Sequence, residues 1–246
     1  MRCGLRWLLS LLVAGLAASS CLASVVMTGT RVIFPGGVSE RSVQFTNQDD
    51  VPNVVQVWVD SGDPNSTPET AKAPFIVTPP VFRMEPKAGQ TARVIFTGKD
   101  LPKDRESVFY LNAVQIPALN SAEADRNKML LLLRNRVKLF YRPSGISGES
   151  SAAAEKLRFS LSRQGSEWKI TATNDSPFHV SLTDAQIVKA ARSVALQPDM
   201  VAPMSTFEWR IKSDEDLVAA GWVVRFVFVN DHGGENKVES PLAASR

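Results

Sequence analysis

Short segments in which apolar and polar residues alternate follow one another along most of this chain, and clusters of turn-forming residues separate them. In one segment, Ala92, Val94 and Phe96 alternate with Thr91 and Arg93. A period of two residues is typical of a strand with one face on a core and one in water. Because almost no segment has helical periodicity, we predict an all-β fold of the sandwich type. The predicted strands are 25–34, 40–46, 54–60, 75–78, 90–96, 107–115, 129–142, 157–163, 168–173, 179–185, 193–196, 206–212 and 222–230.

The composition changes between residues 143 and 151, where Pro, Gly and Ser are concentrated. Such a stretch is typical of a linker between domains. The chain is long enough for two sandwich-sized domains, and its halves share no repeat in residue identity. We therefore expect an N-terminal domain over 24–145 and a C-terminal domain over 146–246.

The first 23 residues have the order of a secretory signal peptide. Arg2 and Arg6 precede an apolar stretch, and small residues end with Cys21 and Ala23. We expect cleavage after Ala23. The apolar stretch is shorter than the roughly 20 residues that span a bilayer, so stable membrane insertion is not expected. A lipid-modified Cys21 is the weaker alternative, because the residues before it match a lipoprotein signal poorly.

Cleavage at that point removes both cysteines, Cys3 and Cys21, so the exported chain would have no disulfide. It also removes two of the 28 basic residues and none of the 25 acidic ones, which lowers the formal charge from +3 to +1. So balanced a charge does not favour a nucleic acid as partner.

No pattern of catalytic residues stands out in the remaining sequence. His179 begins a predicted strand and His232 lies in a turn, and neither has carboxylates or thiols at the spacing of a metal site. There is no phosphate-binding glycine loop and no serine in a nucleophile elbow. We expect a protein that is not an enzyme, with no metal and no cofactor.

The longest predicted strand, 129–142, is also the most unusual. Its first five residues are all apolar, whereas its second half alternates up to Pro143. At about 3.3 Å per residue it would extend roughly 45 Å, far more than an ordinary strand. Two apolar faces at one end indicate either a strand buried in the protein's own core or one completed by another molecule. Helical spacing also fits locally, and periodicity alone does not decide.

The chain resembles the PapD-like family of periplasmic pilus-assembly chaperones over the whole segment that follows the signal. The motifs that carry the resemblance are TRVIFP at 30–35, IVTPP at 76–80, LP at 101–102, DRES at 104–107, VKLFYRP at 137–143, AAEKLRF at 153–159 and VNDHG at 229–233. The resemblance implies two immunoglobulin-like β-sandwich domains in a boomerang arrangement with a cleft between them. The short stretch 117–128 resembles the subclass with a short loop before the donor strand.

The family resemblance also implies roles for single residues. The strand 129–142 would complete the unfinished sandwich of a pilin subunit by donor-strand complementation. Met129, Leu131 and Leu133 would insert into the subunit groove, and Arg31 and Lys138 would bind its C-terminal carboxylate. Three further residues match an interdomain salt bridge: Glu106, Arg142 and Asp231. A cis peptide bond is allowed before Pro79 or Pro80.

The expected function is that of a periplasmic chaperone that binds pilin or fimbrial subunits one to one and delivers them to an outer-membrane usher. The resemblance leaves open whether the free protein caps its exposed strand as a homodimer. The alternative is a secreted two-domain β-sandwich that binds carbohydrate or forms a surface structure. That alternative requires exposed aromatic platforms, whereas Trp168, Trp209 and Trp222 lie in alternating strands that predict burial.

Overall fold

Two β-sandwiches follow one another in the computed structural model, which describes residues 25–98, 100–117, 132–213, 215–218 and 221–244. The predicted fold class is confirmed. The expected signal at 1–23 and the stretch 118–131 lie outside the described residues. The N-terminal domain contains β1 (Val25–Met27), β2 (Arg31–Pro35), β3 (Glu40–Asn47), β4 (Asn53–Asp60), β5 (Phe75–Thr78), β6 (Val81–Met84), β7 (Gly89–Phe96), β8 (Ser107–Pro117) and β9 (Leu133–Arg142).

The two layers of the N-terminal domain have the strand orders β1-β3-β7-β5 and β2-β9-β8-β4-β6. The segment 25–35 passes from one layer to the other. Its first part, β1, pairs with β3, whereas its second part, β2, pairs in parallel with β9. Gly29, with φ of +89°, lies in the bend that separates them. The peptide bond between Thr78 and Pro79 is cis. Between the layers lie fully buried side chains that include Phe34, Phe45 and Leu139.

The C-terminal domain is a second sandwich with its own core. Its elements are α1 (Ser150–Glu155), β10 (Arg158–Gln164), β11 (Glu167–Asn174), β12 (Val180–Lys189), β13 (Arg192–Leu196), β14 (Met200–Val201), β15 (Ser205–Ile211), β16 (Val223–Val229) and β17 (Glu235–Ala244). The strand β17 joins the layers, because its first part pairs with β16 and its last three residues pair in parallel with β10. Trp168, Trp209 and Trp222 are buried in the core, as predicted.

Several elements differ from the expected ones. The predicted strand 25–34 is two strands, because the bend at Gly29 carries the chain between layers. The strands β6, β14 and β17 were not foreseen. Polar residues and Pro241 make β17 look irregular, although the turn that ends at Gly234 is a hairpin signal. The end of the expected linker is helical, since Ser150 begins α1 and Ala153 and Ala154 pack into the core.

Candidate functional site

The first half of β9 has a partner on only one of its two edges. The strand β8 pairs with β9 from Leu133 to Tyr141, whereas β2 begins its pairing at Lys138. Among the described residues, no strand pairs with the second edge of residues 133–137. A groove of about 310 Å³ lies beside this edge, and its other wall is β1 with the bend that follows it. The backbone of β9 is therefore open to an added strand.

One face of this half-strand is also uncovered. Leu133 is 43% exposed, whereas Leu139 on the same face of β9 is fully buried in the N-terminal core. The alternation of side chains along a strand places Leu139, Val137 and Leu133 on one face, in a row that begins in the protein's own core and ends at the surface. We call it the apolar row, although the polar Asn135 interrupts it between Val137 and Leu133. Met129 and Leu131, which would extend the row, lie outside the described residues. Leu133 is the described residue of the three predicted to insert into a subunit.

Arg31 and Lys138 lie side by side, because they are register partners in the parallel pairing of β2 and β9. Both side chains reach the C-terminal domain. Arg31 Nη1 donates to the carbonyl of Val229 at 2.6 Å, and Lys138 Nζ donates to Ser181 Oγ at 3.0 Å. We refer to Arg31 and Lys138 as the anchor pair. The anchor pair consists of one cation from β2 and one from β9, and both lie at the junction of the two domains.

The hydrogen-bond partners of the anchor pair are uncharged, although the carboxylates of Asp231, Glu106 and Asp199 lie within electrostatic range. Burial lowers the pKa of Arg31, although the charges of Asp231 and Glu106 oppose this shift. Burial also lowers the pKa of Lys138, and the neighbouring charge of Arg31 lowers it further. Within the described part of the chain, Arg31 Nε is a buried nitrogen without a hydrogen-bond partner. Such a group is costly to leave unpaired, and an oxygen acceptor would satisfy it.

The three residues expected to bridge the domains are in contact. Arg142 Nε donates to Glu106 Oε1 at 2.8 Å, and Arg142 Nη1 donates to Asp231 Oδ2 at 2.7 Å. Burial opposes ionisation of Asp231, but the hydrogen bonds from Arg142 and Ser150 lower its pKa. We call Glu106, Arg142 and Asp231 the interdomain ion network. It connects β9 and the segment before β8 to the turn that follows β16.

His179 belongs to the same junction, and sequence reasoning missed it. Its backbone N–H donates to Glu106 Oε2 at 2.8 Å, its ring Nδ1 lies 3.2 Å from the same oxygen, and the ring packs against Phe140. The sequence placed His179 at the start of a predicted strand, and this position gave no indication that its partner would be Glu106. His232, by contrast, is an exposed turn residue, as predicted.

Close packing at the junction also requires a glycine. Gly233, in the turn after β16, has φ of +84°, and a Cβ there would lie 2.6 Å from Thr30 Oγ1. The residue before Arg31 therefore touches the same turn that supplies Asp231. A larger side chain at position 233 would displace the Thr30 hydroxyl and would have to adopt a left-handed backbone conformation.

Groups of three or more metal-binding side chains are absent from the described residues. No helix in the described ranges is long and apolar enough to cross a membrane. The arrangement of the site consists instead of an open strand edge, an apolar row and a pair of cations. Features of this kind can bind a peptide chain and a carboxylate through hydrogen bonds, apolar contacts and ion pairs.

Both domains match models of known protein families. Residues 24–147 match the family described as pili and flagellar-assembly chaperone, PapD N-terminal domain. Residues 152–240 match pili assembly chaperone PapD, C-terminal domain. The chain is 35% identical to chaperone protein FimB/FhaD of Bordetella pertussis over 97% of this chain and 99% of that relative.

Two solved structures are similar over most of the chain. One is YadV, a probable fimbrial chaperone of Escherichia coli, with a TM-score of 0.75, 32% identity, and coverage of 89% of this chain and all of that one. The other is the Salmonella enterica SafA pilin in complex with the SafB chaperone, with a TM-score of 0.72, 25% identity, and coverage of 91% of this chain and 99% of the matched chain. These relatives are chaperones by name. The chain therefore belongs to the PapD-like family of pilus-assembly chaperones.

Proposed function

We propose that this protein is a periplasmic chaperone that binds pilin or fimbrial subunits one to one by donor-strand complementation. The observation that carries the proposal is the open edge of β9 at residues 133–137, next to an exposed Leu133. A subunit that lacks its last strand exposes unpaired backbone groups and part of its core. The edge of β9 would pair with that backbone, and the apolar row would cover that core.

The inserted side chains would be Met129, Leu131 and Leu133. Each contributes roughly 1.5–3 kcal/mol of transfer free energy when it becomes buried, less the cost of ordering the chain. Because these residues alternate with others along the strand, all three would point into the same groove. The position of Leu133 on the same face of β9 as the buried Leu139 supports a core shared between chaperone and subunit.

The anchor pair would bind the C-terminal carboxylate of the subunit. A strand held only by alternating contacts can slip by two residues, whereas a carboxylate bound by two cations fixes its register. The unpaired Arg31 Nε and the lowered pKa of Lys138 support this role. A carboxylate would add negative charge beside both cations and would accept a hydrogen bond from Arg31 Nε.

The wider setting of the proposal follows from the family. Residues 1–23 would direct export to the periplasm, residues 24–145 would form the domain that donates the strand, and residues 146–246 the second domain. Delivery to an outer-membrane usher would need no nucleotide, because exchange of the chaperone strand for a neighbouring subunit's extension gives a better-packed sandwich. The interdomain ion network would fix the angle between the domains, and the free protein could cap its open edge as a homodimer.

Co-expression with a pilin subunit encoded beside the gene of this chain tests the proposal. We expect a soluble 1:1 complex with the unaltered protein and at least about a tenfold weaker one with Arg31→Ala or Lys138→Ala, since a hydrogen bond to a charged group contributes about 1.5–3 kcal/mol. Lys87→Ala is the matched control, because Lys87 is an exposed lysine near the β6–β7 turn. A complex that survives both anchor changes would rule out the proposed carboxylate site.

A further inference from the structure

A buried carboxylate lies behind the first half of β9, on the face opposite the apolar row. Asp60, the last residue of β4, is 1% exposed. Its Oδ1 accepts hydrogen bonds from Arg136 Nη2 at 2.8 Å and from the Gly62 backbone N–H at 2.7 Å. Its Oδ2 accepts hydrogen bonds from Asn112 Nδ2 at 2.7 Å and Ser66 Oγ at 3.0 Å. Asp60 thus connects β9, β8 and the loop after β4.

Arg134 makes a second set of contacts from the same face of β9. Its Nε and Nη2 donate to Asn112 Oδ1 at 3.1 and 2.8 Å, and its Nη1 donates to the carbonyl of Pro64 at 2.8 Å. Arg134 Nη2 also lies 3.9 Å from Asp60 Oδ2. We call Asp60, Asn112, Arg134 and Arg136 the Asp60 clamp. Its two arginines are the residues on either side of Asn135.

Both guanidinium groups of the clamp also make cation–π contacts with aromatic rings. The Arg136 guanidinium carbon lies 3.6 Å from the centre of the Tyr110 ring, and that of Arg134 lies 4.9 Å from the Trp58 ring. Such cation–π contacts limit the rotamers that a long side chain can adopt. Trp58 is fixed in turn, because its indole N–H donates to Ser66 Oγ at 3.2 Å.

The half-strand that bears Leu133 needs such support. Its second edge has no strand partner among the described residues, and its apolar face is exposed. Burial by itself raises the pKa of Asp60, but the hydrogen bonds from Arg136, Asn112, Gly62 and Ser66 lower it. The carboxylate is therefore ionised at neutral pH, where it binds Arg136 directly and acts on Arg134 by charge at 3.9 Å and through Asn112, which contacts the carboxylate and Arg134.

We propose that Asp60 is a positioning residue for subunit capture, because through Arg134 and Arg136 it keeps residues 133–137 extended before a subunit binds. This inference rests on the proposed function. The apparent affinity of a chaperone falls with the fraction of molecules in the competent conformation. Once the subunit pairs with β9, the subunit itself holds the strand. Loss of the clamp therefore slows association and leaves the dissociation rate unchanged.

Hydrogen exchange on the free full-length protein tests the positioning step without any subunit. The variants are Asp60→Asn and Arg134→Gln, and the control is Glu40→Gln, which removes an exposed ion pair with Arg93 on the other sheet. We expect the amides of 133–137 that donate to β8 to exchange about tenfold faster or more in both variants, the equivalent of one charge-assisted hydrogen bond. The amides of this stretch that face the open edge are not part of the comparison. Amides of the C-terminal domain and of 138–142 should not change.

The second variant guards against misfolding. Asp60→Asn could accelerate exchange throughout the N-terminal domain because the variant is unstable. In that case the Arg134→Gln result tests the inference, because Arg134 is partly exposed and its replacement leaves Asp60 paired with Arg136. Unchanged protection of 133–137 in Arg134→Gln overturns the inference. Exchange that becomes faster to an equal degree over β2 to β8 in Arg134→Gln also overturns the inference.

Stopped-flow capture tests the functional step, with a neighbouring-gene pilin subunit diluted from urea as the probe. We expect association rates at least about fivefold lower for both variants and equal dissociation rates, because only the competent fraction falls. An unchanged association rate with faster exchange overturns the capture role of Asp60. A wild-type protein that fails to bind the subunit contradicts the proposed function instead, whatever the exchange experiment shows.

Discussion

Arg31 and Lys138 are register partners across the parallel strands β2 and β9, and each donates to a neutral group of the C-terminal domain. Two half-buried cations thus lie side by side with a carbonyl and a hydroxyl as their hydrogen-bond partners. Burial and the charge of Arg31 disfavour the ammonium form of Lys138 in the free state, and Asp199 opposes this effect only in part. A bound carboxylate would relieve the repulsion, so the anchor pair should contribute to binding without contributing to the stability of the free protein.

The double variant Lys138→Met with Ser181→Ala separates these two contributions. Both hydrogen-bond partners are replaced by apolar groups, a change that is often neutral or stabilising. We expect the free energy of unfolding to stay within about 1 kcal/mol of the wild-type value or to rise, and subunit capture to be lost. Urea unfolding and co-purification measure the two quantities. The control is Lys169→Met, which removes a cation paired with Glu208 on the second domain and should leave capture intact.

Subunit binding should weaken at alkaline pH because the pKa of Lys138 lies below its usual value of 10.5. Only the ammonium form attracts a carboxylate, so this part of the affinity is complete below the lowered pKa and is lost as the pH rises through it. The probe is a synthetic peptide of the subunit's C-terminal strand, titrated between pH 7 and 10.5 by fluorescence anisotropy.

Two controls identify the group that titrates. A peptide with an amidated C-terminus should bind weakly and without this pH dependence. The variant Lys138→Arg should keep its affinity to higher pH, because a guanidinium stays charged above pH 12. An equal decline for the free acid and the amide would show that the alkaline effect has another origin.

Because part of the interdomain ion network is buried, removing Arg142 should lower the free energy of unfolding substantially. The Glu106 side chain is 2% exposed, so Arg142→Met leaves its carboxylate without its cation. We expect a loss of about 3–5 kcal/mol in the free energy of unfolding. The matched control is Arg225→Met, which breaks an exposed pair with Glu239 and should cost about 0–1 kcal/mol. Equal losses in urea unfolding for the two variants would contradict the structural role of the network.

Much of the fold could be predicted from local pattern. Alternation identified strands such as β7 and β16, and the burial of Trp209 followed from its place in an alternating strand. The pattern failed where local signals are weak. Half of the residues of β17 are polar, and it becomes a central strand only because β16 and β10 both pair with it. Propensity is routinely overridden by such pairing.

The site was only partly accessible from the sequence. The family motifs pointed to Arg31 and Lys138, but they gave no sign of the Asp60 clamp. Arg136 and Asp60 are 76 residues apart, and Glu106 and His179 are 73 residues apart. Contacts of this kind depend on how sheets and domains pack, and a charge at a strand end usually indicates only a solvated position.

Leu133 and Leu139 provide the sharpest test of the apolar row, because they share a face of β9 and differ in burial. Leu133 is 43% exposed and Leu139 is fully buried. Leu133→Glu should leave the free energy of unfolding within about 0.5 kcal/mol of the wild-type value, as is usual for an exposed position. It should weaken subunit capture by about 100-fold or more, because an unpaired carboxylate would have to enter an apolar groove.

Leu139→Ala should behave in the opposite way. It deletes a side chain from the N-terminal core and should cost about 2–5 kcal/mol of stability. Below the temperature at which the variant unfolds, however, its capture of the subunit should be within a few-fold of wild type, since residues 129–133 are unchanged. Urea unfolding and co-purification on the same two variants distinguish the roles. If Leu133→Glu captures the subunit normally, the open face of β9 is not where the subunit binds, and the donor-strand assignment fails at its first described residue.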